Sequence, residues 1–206
     1  MVTARPYRAA GAAIALLLAV WSSPTPATAE TLAGKLLVAA PSMPEGYFAH
    51  SVVYMLRHDE TGAMGVVVNI PMGDLPIASI FEGLGIELAP DHALSDEPVR
   101  VYSGGPVDAA HGFILHSDED SGEGTLAAAG GLVLSMSVEL MRAIAAGQGP
   151  KHSLLLFGYA GWGPGQLEQE MKRDDWVAVP ADDSLVFDHD DGTKWQRSLD
   201  SFEVDL

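Results

Sequence analysis

The sequence predicts a single mixed α/β (α+β) domain, and three observations carry that reading. Short apolar runs of strand type interleave with amphipathic runs of helical period, and no unit repeats. A distinct leader covers residues 1–29, and the 177 residues behind it are an ordinary size for one domain with a real core. Hydrophobic residues make up 48% of the chain and cysteine is absent, so the fold must stand on packing without disulfides.

The leader has three ordered features. Arg5 and Arg8 form a basic start, Ala9–Trp21 is an apolar run, and Ala27-Thr28-Ala29 is an A-x-A cleavage pattern. An apolar run of thirteen residues falls short of the ~20 that span a bilayer, so the reading is a secretory signal cleaved after Ala29, with no stable membrane insertion afterwards. Its loss takes Arg5 and Arg8 with it, and the formal charge falls from −17 to −19. A surface of that sign repels nucleic acid and anionic membrane.

Along the remainder, residues 36–40 form a first strand that Pro41 and Pro44 lead into a loop. Ser51–Arg57 and Met64–Asn69 are β-rich, and the turn-forming cluster His58–Gly62 between them makes a hairpin. Val66-Val67-Val68 is apolar on both faces, which places that strand inside a covered sheet. Asn69 and Pro71 close it. Ile77, Ile80, Phe81 and Leu84 recur at helical spacing until Gly85. Val99–Tyr102 is a strand stopped by Ser103-Gly104-Gly105-Pro106; Gly112–His116 starts the next, and Leu132–Leu134 forms another. Ser135 or Ser137 caps a helix carrying Val138, Met141 and Ala145 on one face, with Gly147 as its stop. Glu87–Pro98 and Asp118–Gly124 read as acidic surface loops.

Ser153–Trp176 then organises the rest. Ser153–Phe157 is a buried strand, Gly158, Gly161, Gly163 and Gly165 make a tight loop, and Pro164 opens a helix that places Leu167 and Met171 on one face. Glu168 and Glu170 sit near its positive end. A phosphate-binding loop is opposed there, because no Lys-Ser/Thr pair follows the last glycine and the two glutamates repel an anion. Trp176–Val179 and Ser184–Phe187 read as strands, and Trp195, Leu199 and Phe202 mark a final amphipathic helix.

Searching this frame for chemistry yields candidates without a complete constellation. His58, His111 and His116 have no zinc-ligand spacing, and no cofactor or metal is assigned. Asp118-x-Asp120 and Asp188-x-Asp190 lack the glutamate at position twelve of a calcium loop and read as solvated acidic turns. No G-x-S-x-G elbow presents a nucleophilic serine, and Glu168 and Glu170 point to different sides of their helix. No catalytic residue is assigned.

The hairpin SVVYMLRHDETGAMGVVVNIP, followed by GGPV, GFILH and GYAGWGPGQLEQE with Trp176 behind it, resembles the YqgE/AlgH family of bacterial proteins, over about Gly34 to Phe202. The resemblance implies a branched sheet with a small barrel-like part and flanking helices. It implies no reaction, and it brings the label of transcriptional regulator, which some members carry without a DNA-binding element. Matching polar positions include His58, Asn69, His116, Gln166, Glu168 and Glu170, with Trp162 and Trp176 beside them. Asn69, His116, Trp162, Gln166 and Glu168 are the candidate polar pocket; the alternative is that Asn69 caps its turn and Gln166 ties the glycine loop in place.

Three functional readings follow. The first is a non-enzymatic binding or accessory protein of the cell envelope, periplasmic or secreted, holding a protein or small ligand around the glycine loop and Trp162. The second is a hydrolase or metal-dependent enzyme drawing on His58, His116, Asn69 and Glu168. The third is a cytoplasmic regulator whose true start lies near Leu32.

Overall fold

The computed structural model describes residues 31–87, 97–117 and 122–204. The leader and its cleavage pattern lie outside the described residues, as do most of the acidic loop at 87–98 and the Asp118-x-Asp120 pair.

The elements run β1 (Lys35–Ala39), β2 (Val52–Asp59), β3 (Gly62–Val67), β4 (Pro71–Leu75), α1 (Ile77–Gly83), β5 (Val99–Ser103), β6 (Val107–Ser117), β7 (Thr125–Ala129), β8 (Leu132–Ser135), α2 (Val138–Ala145), β9 (Ser153–Trp162), α3 (Gln166–Met171), β10 (Trp176–Pro180), α4 (Asp183–Phe187) and α5 (Asp191–Val204). The sheet order is β10-β1-β2-β3-β9-β6-β8-β7, with β5 parallel to β9 and β4 antiparallel to β5. The architecture is the mixed α+β one that the sequence predicts.

β9 is the branch point. Leu155–Phe157 lie parallel to Val101–Ser103 of β5 and antiparallel to Gly112–Ile114 of β6, whereas Ala160–Trp162 pair with Ala63–Gly65 of β3. The change of partner falls at Gly158, whose φ of +75° is costly for a residue with a Cβ. The strand therefore continues through Gly158 and Gly161 to Trp162, and the expected loop of four glycines is corrected to the short turn Gly163–Gly165. Gly105 completes the junction: a Cβ there would lie 2.0 Å from the Tyr159 carbonyl carbon.

The far end of the sheet curls back into a half-barrel. Tyr54 donates its hydroxyl proton to the Ala129 carbonyl of β7 over 2.5 Å, and Gly34 and Gly130 meet so closely that a Cβ on Gly34 would lie 3.0 Å from Gly130 Cα. Strand alternation then feeds two cores. Leu36, Val38, Tyr54 and Val66 enter one with Leu115, Leu134 and Leu156, while Leu37, Ala39, Val53 and Val67 enter another with Trp162, Leu167 and Trp176. A third core packs α1 and α2 on the β5, β6 and β9 face through Ile77, Phe81, Val101, Ile114 and Met141. Burial on both faces explains why these strands read as continuous apolar runs.

Four further differences from the sequence reading have physical causes. Ser184–Phe187 lies in helix α4 and is not a strand, because Asp182 caps it by accepting from Ser184 N–H at 2.8 Å and a short apolar run has no period of its own. β4 is an edge strand with Pro71 at its first residue, the position where proline is tolerated. β7 consists of Thr125-Leu126-Ala127-Ala128-Ala129 and owes its place to pairing with β8. β6 begins at Val107, five residues before Gly112, and is bulged between those two residues.

Candidate functional site

The short turn after β9 brings Trp162 and the first turn of α3 together. Gly165 stands before α3 at φ +72°, and Gln166 Oε1 accepts from the Gly163 N–H at 3.1 Å, which ties the glycine turn to the helix. Gln166 Nε2 donates to Glu170 Oε1 at 2.9 Å. The other carboxylate oxygen of Glu170 accepts both indole N–H groups, from Trp162 at 2.8 Å and from Trp176 at 2.9 Å. Burial pushes the Glu170 carboxyl up, but its hydrogen bonds to Gln166, Trp176 and Trp162, with the charge of Arg173, outweigh that and hold it below the ordinary carboxylate range.

The two indoles meet edge to face at 5.9 Å, and Phe48, from the loop at 40–51, stacks on Trp162 at 6.2 Å and meets Trp176 at 5.7 Å. Tyr47 continues this row: its ring lies 5.0 Å from Phe48, its hydroxyl bonds Ser103 Oγ at 2.7 Å, and it is 47% exposed. Trp162 is buried at 6% and Trp176 at 4%, so the exposed members are Tyr47, the glycine turn and Gln166.

Glu168 points from the other side of α3 and meets His58 of β2, Oε1 to Nε2, at 3.1 Å. The Leu32 backbone N–H donates to His58 Nδ1 at 3.2 Å. That bond requires a bare Nδ1, so the neutral ring carries its proton on Nε2 and donates it to Glu168.

The remaining candidates lie elsewhere. Asn69, just after β3, accepts from Val52 N–H at 2.8 Å and donates to the His50 carbonyl at 2.9 Å, fastening the entry of β2. His116 is fully buried between β6 and β8. Its Nδ1 donates to the Ser117 carbonyl, and its Nε2 accepts from Ser135 Oγ, each at 2.8 Å. Trp162, Gln166 and Glu168 are therefore brought together on β9 and α3, with His58, Glu170 and Trp176, while Asn69 and His116 engage other partners. His111 is exposed beside Asp108. Among the described residues no group of three or more His, Asp or Glu side chains has the arrangement of a metal site.

A second polar cluster escapes the sequence reading. Lys194 of α5 is completely buried, and its Nζ donates to the carbonyls of Val68, Val186 and Asp188 at 3.0 Å each, with Asp188 and Asp191 carboxylates at 3.7 and 3.6 Å. Burial pushes the ammonium below the usual lysine range against the pull of Asp191 and Asp188. Arg197 binds Asp188 through two nitrogens, at 2.6 and 3.0 Å. Asp188 is thus part of an ion-pair network, a correction to the solvated turn expected from sequence, whereas Asp190 is exposed and its carboxylate accepts from Thr193 Oγ1 at 2.6 Å. The only signal available was Lys194 one residue before the apolar Trp195 on a helix with few cations. A cleft of about 330 Å³ between α1, β6 and α2, walled by Leu84, Ile86, Ile114, Val138 and Met141, contains none of the pocket residues expected from sequence.

Comparison with known proteins follows the same arrangement. A family model described as AlgH-like (DUF179) matches residues 36–206. A UPF0301 protein of Methylococcus capsulatus is 43% identical over 166 residues, 81% of this chain and 88% of the relative. A UPF0301 protein of Gluconobacter oxydans is 42% identical over 84% of this chain and 92% of its own length. The solution structure of the AlgH protein from Pseudomonas aeruginosa superposes with a TM-score of 0.70 at 38% identity, covering 88% of this chain and 91% of that one. A crystal structure from Corynebacterium diphtheriae, at 24% identity and a TM-score of 0.53, shares the fold. With the branched sheet, the half-barrel and motifs matched across its length, this chain belongs to the AlgH-like family.

Proposed function

We propose that this chain is a non-enzymatic binding or accessory protein of the cell envelope, exported behind residues 1–29 and acting as a domain of residues 30–206. Its partner, a protein or small ligand, is held on the face formed by Tyr47, the Gly163–Gly165 turn and Gln166. The observation that carries this reading is the state of the polar side chains: Asn69, His116, Gln166 and Glu170 have both their polar side-chain atoms engaged by other parts of the protein, and Glu168 has one oxygen held by His58. Such a set builds a rigid platform, and the exposed Tyr47 at its rim supplies the kind of amphipathic aromatic contact that recognition surfaces use. The acidic balance of 28 Asp and Glu against 11 Lys and Arg argues for a partner other than nucleic acid. No described helix is long and apolar enough to cross a membrane.

The reading is tested by fractionation and mass spectrometry of the native protein, followed by photo-crosslinking from position 47. A chain beginning at Glu30 in the envelope fraction, with a crosslinked partner lost on Gln166→Ala, is the expected result. A cytosolic chain beginning near Leu32 would overturn the export reading and leave the regulator as the better one. An exported chain with no crosslink from position 47 would remove this face as the contact surface.

A further inference from the structure

The bond from Leu32 N–H to His58 Nδ1 exists in only one protonation state of the ring, and it fastens the first described segment of the chain. Thr31 Oγ1 donates to the His58 carbonyl at 3.3 Å, Gly34 N–H donates to Met55 O at 2.8 Å, and the Leu32 side chain is buried at 6% in the core that holds Trp162, Leu167 and Trp176. The imidazole itself is 8% exposed, so water cannot easily replace a partner that it loses. We propose that His58 is a proton-operated latch on the segment Thr31–Gly34, closed when the ring is neutral and released at Leu32 when the ring is protonated. This inference is independent of the binding face.

The argument follows from donors and acceptors. The neutral ring accepts from Leu32 at Nδ1 and donates from Nε2 to Glu168. The added proton can only go to Nδ1, where it faces the Leu32 N–H, donor against donor. The contact with Glu168 becomes charge-assisted at the same moment and holds the ring in place, so the Leu32 side yields. The ionisable surroundings are few. Glu168 faces Nε2 from α3; Asp59 and its ion partner Arg57 neighbour the ring on β2; β3 has no titratable side chain, β9 has only Tyr159, and Thr31–Gly34 carries no charge.

The test follows amide exchange and ring-nitrogen shifts by NMR on the full chain between pH 8 and pH 5. The expected result is a bare Nδ1 at pH 8 and a fall of about tenfold or more in the Leu32 protection factor through the pH step in which His58 titrates, the factor that goes with loss of one hydrogen bond. Gly34, bonded to Met55 O, keeps its protection. His58→Asn keeps an acceptor near the Nδ1 position without a titrating group, and it should keep Leu32 protected at pH 5. A Leu32 amide whose protection ignores the His58 titration overturns the latch. So does a proton found on Nδ1 at pH 8, or the same acid-induced loss at Leu32 in His58→Asn.

Discussion

Trp162 and Trp176 donate their indole N–H groups to the same oxygen, Glu170 Oε2, over 2.8 and 2.9 Å. One carboxylate thereby joins the end of β9, helix α3 and the start of β10. Removing it strands two nearly buried donors at once, and an unsatisfied buried donor costs about 1–3 kcal/mol. Glu170→Ala is expected to lower the free energy of unfolding by about 3 kcal/mol at pH 7 in urea denaturation. Glu170→Gln should cost about 1 kcal/mol, since its carbonyl oxygen can still accept while its amide faces the Gln166 amide.

The same carboxylate gives a pH dependence. Its folded pKa lies below the ordinary value of 4.5, so the unfolded chain binds its proton first as the pH falls. The contribution is complete above about pH 4.5 and disappears as the pH drops through the folded value. The stability gap between the unmodified protein and Glu170→Gln should therefore narrow between pH 5 and pH 3 when denaturation midpoints are compared. A constant gap would show that the carboxylate charge contributes nothing.

Lys194→Met removes the donor shared by the Val68, Val186 and Asp188 carbonyls and takes the cation from Oδ1 of Asp191, a side chain 8% exposed whose Oδ2 keeps only Arg100 at 3.4 Å. Breaking a buried pair from one side costs about 3–5 kcal/mol, and chemical denaturation should show a loss of that size. Adding Asp191→Asn should recover part of it, because the buried charge left with only the longer Arg100 contact goes too. Unchanged stability in Lys194→Met would mean that the buried ammonium adds nothing net to the α5 interface, which the Arg197 pair with Asp188 and the Trp195 N–H bond to the Ala39 carbonyl would then hold with its apolar face.

Substituting Trp162 tests the core before it tests any partner. At 6% exposure, Trp162→Ala opens a cavity expected to cost about 3–5 kcal/mol, so lost binding in that variant would carry no information about the surface. Tyr47→Ala, at 47% exposure, is expected to stay within about 1 kcal/mol of the parent in thermal melts and is the substitution that can report on a contact.

Two glycines should behave in opposite ways. Gly105→Ala places a Cβ 2.0 Å from the Tyr159 carbonyl carbon at φ +153°, and the strands must part, at a cost of about 3 kcal/mol or more. Gly83, the last residue of α1, has open space around its Cβ position, and Gly83→Ala should gain up to about 1 kcal/mol. Melting temperatures of the two variants decide this.

Much of the fold was legible because both faces of the central strands are buried. Leu36–Ala39 and Val66–Val68 read as continuous apolar runs, and each strand does feed two cores. For α2 the apolar face of Val138, Met141 and Ala145 and the flanking caps agreed: of Ser135 and Ser137 the structure uses Ser137, and Gly147 follows the helix at φ +70°. Reading failed where a segment has no pattern of its own: β7, with three alanines in five residues, is made a strand by β8, and α4, whose apolar part is only Leu185, Val186 and Phe187, is made a helix by Asp182. At the site, Gln166 and Glu170 stand four apart on one helix and their contact follows from helical geometry. His58 lies 110 residues from Glu168, and Lys194 lies 126 from Val68. No local rule connects such pairs.

The sequence by itself determined the class of fold, the acidic balance, the absence of thiol chemistry and the family motifs, because composition and short-range periodicity are properties of the chain. Tertiary structure alone decided that β9 passes through its glycines to serve three partner strands, that Trp162 and Trp176 share one carboxylate, and that a lysine lies at the centre of the α5 interface. These depend on which distant segments meet. That is settled by simultaneous burial and hydrogen-bond satisfaction over the whole molecule, since an apolar face or a polar atom has no partner until the chain has folded.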